Sequence, residues 1–370
     1  MNAIDNALLI YALVVTTLSF IHLIRVDYWW VRMWDFPHFQ LAVLAGIGMA
    51  AWLALSRNTD WPVVLAPVGL LASLAYEGWL IYPFTPLHRK QVKYQKKKAR
   101  TEDADANTIR ILTANVYMEN THTPDVLALV KKYDPDVFMI LEGNAAWQKA
   151  LEPLEDRYPH RILHPLENTY GMLFYSRVEL LEHEVRFLIQ DDIPSIRAVL
   201  KLASGQKITF YGVHPMPPSP TEHYRSTERD AELLVVGKEV RKLTGPVIVA
   251  GDLNDVAWSH TTRLFQRVSG LLDPRIGRGL FNTFHARYFF MRWPLDHIFV
   301  SPHFQIRELR KLPNCGSDHF PIMITLTYAP EKRTDSEELP QPEKDDIVET
   351  EKIIDKAETE PGTAAQKTSV

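Results

Sequence analysis

Cysteine is almost absent: Cys315 stands alone in 370 residues, so no intrachain disulfide can form, which fits a reducing compartment. Charge of one sign is missing too. The formal net charge is −4, which argues against a protein that coats nucleic acid through many lysine and arginine contacts to phosphate, while leaving room for an enzyme that touches it at one site. There is no G-x-G-x-x-G or Walker-type loop, and nothing repeats at a fixed period. Long apolar runs are missing after residue 85, and few apolar residues lie beyond about residue 330.

What is present divides the chain. Ala7 to Ile24, Leu41 to Leu55 and Trp61 to Phe84 are apolar runs at or near the length needed to cross a bilayer, about 20 residues. Trp29, Trp30, Trp34, Trp61 and Trp79 sit near their ends, where aromatic belts meet the lipid–water boundary. No basic segment precedes the first run and no small-residue cleavage site follows it, so a removable leader is disfavoured. Residues 1–86 are therefore expected to be an anchor of about three helices in the inner or plasma membrane, and 87–107 a basic linker. Arg89, Lys90, Lys93, Lys96, Lys97, Lys98 and Arg100 follow the third run directly. With three spans they place the N-terminus outside and the rest of the chain in the cytoplasm, and they suit anionic lipid headgroups. His22 and Glu77 are ionisable groups inside apolar runs. Glu77 is expected to reach the interface, and both are read as structural.

From 108 to 328 short apolar runs alternate with amphipathic segments, predicting an α/β domain. Strands are expected at Ile109 to Asn115, Asp136 to Leu141, Gly171 to Tyr175, Ile196 to Leu202, Ile208 to Val213, Val247 to Ala250, His297 to Val300 and Ile322 to Leu326. Helices are expected over Thr123 to Tyr133, with Pro124 at its first position, and over Glu222 to Leu243. Polar residues recur where these strands end: Asn115, Glu142, His214, Asp252 with Asn254, and Asp318 with His319. Any one is an ordinary turn residue. Together, at strand ends on one sheet edge, they form the carboxylate, amide and imidazole set that hard-metal phosphate chemistry requires.

The ordered motifs T-A-N-V (Asn115), I-L-E (Glu142), Y-G-M-L-F-Y-S-R (Tyr170 to Arg177), G-V-H-P (His214), G-D-L-N (Asp252, Asn254), P-L-D-H (Asp296) and G-S-D-H-F-P (Ser317 to Pro321) resemble the endonuclease/exonuclease/phosphatase superfamily. That family includes DNase I, abasic-site endonucleases of the exonuclease III type, neutral sphingomyelinases and inositol polyphosphate 5-phosphatases. The resemblance implies an α/β fold of the DNase I-like kind, a two-sheet sandwich, here preceded by transmembrane helices. It implies hydrolysis of a phosphodiester or phosphomonoester with Mg²⁺, or Mn²⁺ in its place. Glu142 would be the first metal ligand, with Asn115 and Asp318 as outer or second-site ligands. Asp252 would orient or deprotonate the attacking water and Asn254 hold a phosphoryl oxygen. His319 would act on the phosphate, Asp296 would fix its tautomer, and His214 would be a proton donor to the leaving group. Arg197 is a candidate phosphate clamp, and Tyr170 a candidate substrate contact. Two departures or leanings stand out: Leu141 replaces the glutamine often found before the metal-binding glutamate, and His214 leans away from abasic-site repair.

Upstream of Asp296, Arg275, Arg278, Arg287 and Arg292 interleave with Phe281, Phe284, Tyr288, Phe289, Phe290 and Trp293. Such a loop can stack on unpaired bases, wedge into lipid headgroups with Phe289-Phe290-Met291 as its tip, or fill the core beneath. The substrate is thus nucleic acid, with nuclease activity favoured, or a phospholipid or sphingomyelin-type headgroup, with a catalytically inactive membrane scaffold as the reading outside enzymes. Membrane lipids are the only other partner implied, with no obligate protein partner. Residues 329–370, rich in Glu, Asp, Lys, Pro and Thr, are expected to be a disordered acidic tail.

Overall fold

The computed structural model describes residues 3–56, 61–95, 102–332 and 339–360. The first apolar runs form α1 (Ala3–Phe20), a short α2 (Trp29–Arg32), α3 (His38–Leu55) and α4 (Trp61–Ile81). The three long helices pack on a narrow seam of Ala12, Val15, Ala45, Ala66 and Leu70. Small residues bring the backbones close: a Cβ on Gly48 would lie 2.5 Å from the Tyr11 ring. Away from that seam the helices stay apolar. Only 22–28% of the most apolar window of each is buried, and Ile10, Leu13, Leu53, Leu65 and Leu71 point outward. Apolar outside as well as inside is the pattern of helices solvated by lipid, and all three are long and apolar enough to cross a membrane.

The α/β region follows a short α5 (Glu102–Ala106). One sheet runs β10 (Phe304–Lys311), β11 (Ile322–Tyr328), β1 (Thr108–Asn115), β2 (Val137–Leu141), β4 (Met172–Ser176), β3 (His160–His164). The other runs β5 (Glu179–Arg186), β6 (Ser195–Lys201), β7 (Lys207–Val213), β8 (Val247–Asp252), β9 (Asp296–Val300). Both sheets are mixed. β1 and β2 are parallel through the crossover helix α6 (Thr123–Tyr133), and β7 and β8 are parallel through α8 (Thr227–Lys242). Strand β2 shows why its sequence is apolar throughout. Val137, Met139 and Leu141 face the opposite sheet, while Phe138 and Ile140 face α6 and α7 (Ala145–Leu151) through Val126, Val130 and Trp147. On the far side α8 and α9 (His260–Ser269) cover Tyr211, Val249 and Phe299 with Leu233, Val236 and Phe265. The result is a four-layer sandwich in which the strand ends that matter share one edge, because Asn115 pairs with Leu141, Val213 with Gly251, and Asp252 with Asp296. Gly251 is required there: at φ 152° a Cβ would sit 1.8 Å from the Val213 carbonyl oxygen.

Several expectations change. The second helix begins at Thr227 instead of near Thr221, because Ser219 N–H donates to the His223 carbonyl in an irregular turn. The expected linker is pinned to the domain over 91–95, where Tyr94 bridges Ile306 and Gln95 N–H donates to the Ile306 carbonyl at 2.9 Å. Lys96, Lys97, Lys98 and Arg100 lie outside the described residues. The tail is not wholly disordered: α10 (Lys344–Thr359) docks on α8 and α9, burying Ile354 and Ala357 against Ala231, Leu234, Leu264 and Val268. Its contact face also uses Asp346, paired with Arg267, and Thr350. Half of that face is polar, so composition concealed it.

Helices and sandwich are joined. Trp29 N–H donates to the Tyr224 carbonyl, Ser226 N–H to Asp27, and the Trp258 indole to the Asp35 carbonyl at 2.7 Å. Leu80 and Phe84 pack with Val256, Ala257, Trp258 and Leu295. The α1–α3 connection and the chain after α4 thus meet the sandwich on the same side.

Candidate active site

The sandwich edge gathers the strand-end residues around one amide. Asn115, buried at the end of β1, donates to Glu142 Oε1 at 2.8 Å and to Asp252 Oδ2 at 3.1 Å, tying the two sheets together. Its carbonyl oxygen accepts the Tyr117 N–H at 3.0 Å and keeps one lone pair for a cation. Glu142 follows β2 at φ 60° and accepts the Met118 N–H at 3.1 Å. Asn254 sits at φ 50°, with its N–H on Asp252 Oδ1 at 2.9 Å and its side chain donating to the Pro215 carbonyl at 3.0 Å. Two non-glycine residues in the left-handed region, both on turns leaving central strands, cost roughly 1–3 kcal/mol each, and such strain concentrates at functional sites.

On the other side His319 lies between carboxylates. Its Nδ1 is 2.8 Å from Asp296 Oδ2 and its Nε2 is 3.5 Å from Asp252 Oδ2, all three residues being buried. Burial would lower the imidazole, but Asp296 and Asp252 overcome it and hold His319 up to about 10, so the ring is a cation at neutral pH. The 2.8 Å contact leaves no space for an ion between His319 Nδ1 and Asp296 Oδ2, so that pair shares a proton. The backbone that places it is fixed by Ser317, whose hydroxyl donates to the Asn115 carbonyl at 2.9 Å and accepts the His319 N–H at 3.0 Å.

Glu142 and Asp318 are the residues suited to a divalent ion. Burial pushes Glu142 up to about 7, opposed by the Asn115 and Met118 hydrogen bonds, and the Asp318 carboxylate pushes it the same way as burial. A half-buried carboxylate whose proton affinity is raised by burial and by a second carboxylate fits a cation bound at this edge.

His214, Tyr170 and Arg197 fall differently from expectation. Burial pushes His214 down to about 4, with Asp252 opposing and His319 reinforcing, so the ring is neutral and the cationic imidazole of the site is His319. Its Nδ1 and Asp296 Oδ1 are buried with no hydrogen-bond partner. The Tyr170 ring lies 5.4 Å from His214, but its hydroxyl donates to Glu222. Arg197 is not at the site. Ile196 faces the inter-sheet core, so the next residue turns outward, where Arg197 meets Glu184 at 3.8 Å and Glu182 at 3.9 Å.

Sequence reasoning passed over the groups beneath the cluster. Asp255 is buried, accepts from Thr262 at 3.0 Å and pairs with Arg229 at 3.5 Å. Arg229 in turn donates to the Asn254 carbonyl at 2.8 Å, so it holds the strained turn. Position on α8, turned toward the sheet, was the available signal. Arg275 is also buried, on Asp273 and His297, and does not reach the rim. Of the aromatic loop, Phe284 lies 4.9 Å from the His319 ring and stacks on Trp293, which meets Phe36 at 5.6 Å. Tyr288, Phe289, Phe290 and Met291 are exposed, Phe289 by 79%. Gln40 of α3 donates to the Phe290 carbonyl at 2.8 Å, so the rim of the site is fastened to the second of the three long apolar helices.

Against known proteins, the model of the Endonuclease/Exonuclease/phosphatase family matches residues 112–319, and the chain belongs to that family. A UPF0294 protein of Vibrio cholerae is 23% identical over 238 residues, covering 62% of this chain and 82% of its own length. Another UPF0294 protein, from Vibrio campbellii, is 26% identical over 128 residues, 34% of this chain and 42% of its own. Among solved structures, D. rerio TDP2 complexed with a single-strand DNA product is 20% identical, covers 60% of this chain and 99% of that one, and has a TM-score of 0.48. The mannosyl-6-phosphatase Bt3783 of Bacteroides thetaiotaomicron is 18% identical with 60% and 100% coverage and a TM-score of 0.46. Membership makes the chain a phosphoester hydrolase by family, with acidic and histidine groups that can hold a divalent metal.

Proposed function

We propose that the chain is a Mg²⁺-dependent phosphoesterase, with Mn²⁺ able to substitute, acting on a phosphate ester presented at the lipid–water boundary. One observation carries the choice of substrate: the loop whose Phe284 lies 4.9 Å from the His319 ring has its exposed Tyr288–Met291 tip held on α3 by Gln40, so the mouth of the site opens next to a membrane helix. A phospholipid or sphingomyelin-type headgroup reaches such a mouth without leaving the bilayer surface, and Phe289 and Phe290 wedge into the headgroup layer.

Glu142 and Asp318 hold the ion, assisted by Asn115, and the ion supplies charge neutralisation at the phosphoryl oxygens. Asp252 accepts a proton from the attacking water and sets its direction of approach. Cationic His319 steadies the phosphoryl oxygens and is kept protonated by Asp296. Neutral His214 and the Asn254 amide donate hydrogen bonds to the phosphate. The catalytic domain lies on the cytoplasmic side: with three spans the α1–α3 connection, carrying Arg25 and Arg32, falls on the same side as the domain it touches. A nuclease is the second reading, favoured by the exposed Arg287 beside Tyr288, a pair that can stack on unpaired bases.

The test uses the full chain in lipid nanodiscs with Mg²⁺ or EDTA, offering phospholipid vesicles and supercoiled plasmid in parallel. Metal-dependent headgroup release that disappears in His319→Gln is the expected result. Plasmid nicking with the same dependence, and no release from lipid, would replace the lipid reading with the nuclease one.

A further inference from the structure

A second buried histidine–carboxylate cluster lies where the membrane helices meet the sandwich. His22 stands in the turn Ile21–Leu23 closing α1, Asp35 in the turn Met33–Asp35, His38 opens α3, and Glu77 belongs to α4. All four are buried, Glu77 with 0% exposure, so it does not reach the interface as its place in the sequence implied. A ring nitrogen from each histidine and one Asp35 carboxylate oxygen lie within 4.8 Å of one another. Donors sharing one zinc-like ion stand about 2.0–2.2 Å from its centre, so this set closes around an ion with small side-chain shifts.

The hydrogen bonds show which atoms remain. His38 Nδ1 is 2.6 Å from Glu77 Oε2, leaving Nε2. His22 Nε2 is 2.8 Å from the Tyr76 hydroxyl, and its buried Nδ1 is held by no other side chain. A carboxylate behind one imidazole and a phenol behind the other fix ring orientation in the way outer groups support metal-ligating histidines. Arg32 takes the other side of Asp35 at 3.3 Å from Oδ2 and spends its remaining N–H groups on the His22, Ile24 and Val26 carbonyls, locking the turn that carries His22.

We propose that His22, His38 and Asp35, with Glu77 orienting His38, bind a divalent cation of the zinc class, separate from the ion of the catalytic edge. Two imidazoles and a carboxylate suit such an ion better than Mg²⁺, which favours oxygen donors. The bound ion clips α1 to α3, and the Asp35–Trp258 hydrogen bond extends the clip to the segment after Asp252 and Asn254.

The test loads the full chain in detergent with Zn²⁺, dialyses it against metal-free buffer and measures retained metal. Wild type and the Glu142→Gln/Asp318→Asn variant should each keep about one equivalent, and His22→Gln/His38→Gln should lose it. Loss in the Glu142/Asp318 variant with retention in the histidine variant assigns the ion to the catalytic edge and overturns the proposal, as does a folded wild type that retains none. A folding defect in the histidine variant is bypassed by Co²⁺ loading of the Glu142/Asp318 variant: intense visible bands of four-coordinate Co²⁺ support the site, and a weak six-coordinate spectrum overturns it.

Discussion

Among the described residues two histidine–carboxylate clusters are buried, one at the sandwich edge and one among the long apolar helices, and they are wired in opposite senses. At the edge, both nitrogens of His319 face carboxylates, Asp296 at 2.8 Å and Asp252 at 3.5 Å, so the ring is locked as a cation. Among the helices, each imidazole has one nitrogen engaged by a side chain, His38 by Glu77 and His22 by Tyr76, and no carboxylate takes the second. The same residue types therefore serve different ends according to how many ring nitrogens the surroundings consume. An imidazole with both nitrogens facing carboxylates keeps its proton; one with a nitrogen left over, held in place from behind, is ready to ligate.

The largest effect should come from His319→Gln, which removes the cation but not the shape: kcat/KM should fall by roughly 10²–10⁴-fold on any phosphoester substrate, measured at saturating Mg²⁺. The same substitution at His22 should leave that rate within a few-fold. Equal losses at both positions would erase the contrast between the clusters.

Asp296→Asn sharpens it through pH. His319 stands at about 10 against an ordinary 6.5, so its contribution to stability is complete below about 6.5 and is lost as pH rises through 10. Removing Asp296 takes away a group that raises it, so the alkaline limb of activity and the alkaline end of the stability profile should both move to lower pH. An unmoved limb would mean that Asp252 alone holds the proton.

Phe289→Ser with Phe290→Ser separates the rim from the chemistry. Turnover of lipid in vesicles should drop by about 10–100-fold, from the 1.5–3 kcal/mol a phenylalanine gains on burial, while a small soluble phosphodiester is hydrolysed as before. A matching loss on the soluble substrate would show that the tip serves the site directly. Smallest is Ile354→Ala on α10: a loss of about 2 kcal/mol in stability by thermal unfolding, with the rate below the transition unchanged.

The catalytic edge was legible because each of its groups ends an apolar strand, and parallel pairing of β1 with β2 and of β7 with β8 puts those ends together. Arg197 was misplaced because a guanidinium's fit to phosphate says nothing of the sheet face it occupies, and one step of register turned it toward Glu184. Strands β3, β5 and β10 at the sheet margins were not legible: they carry residues such as Glu182, Glu184 and Arg310 in place of an apolar run.

The sequence by itself determined the three apolar helices, the alternating α/β domain and the residue types of the catalytic edge, because hydrophobic period and strand-end chemistry are local properties. Tertiary structure alone decided that Asn115 bridges Glu142 and Asp252, that Arg229 braces the Asn254 turn, that α10 docks, and that His22, Asp35, His38 and Glu77 meet. Each of these joins residues far apart in the chain, and their proximity is set by packing of whole elements, which no local pattern encodes.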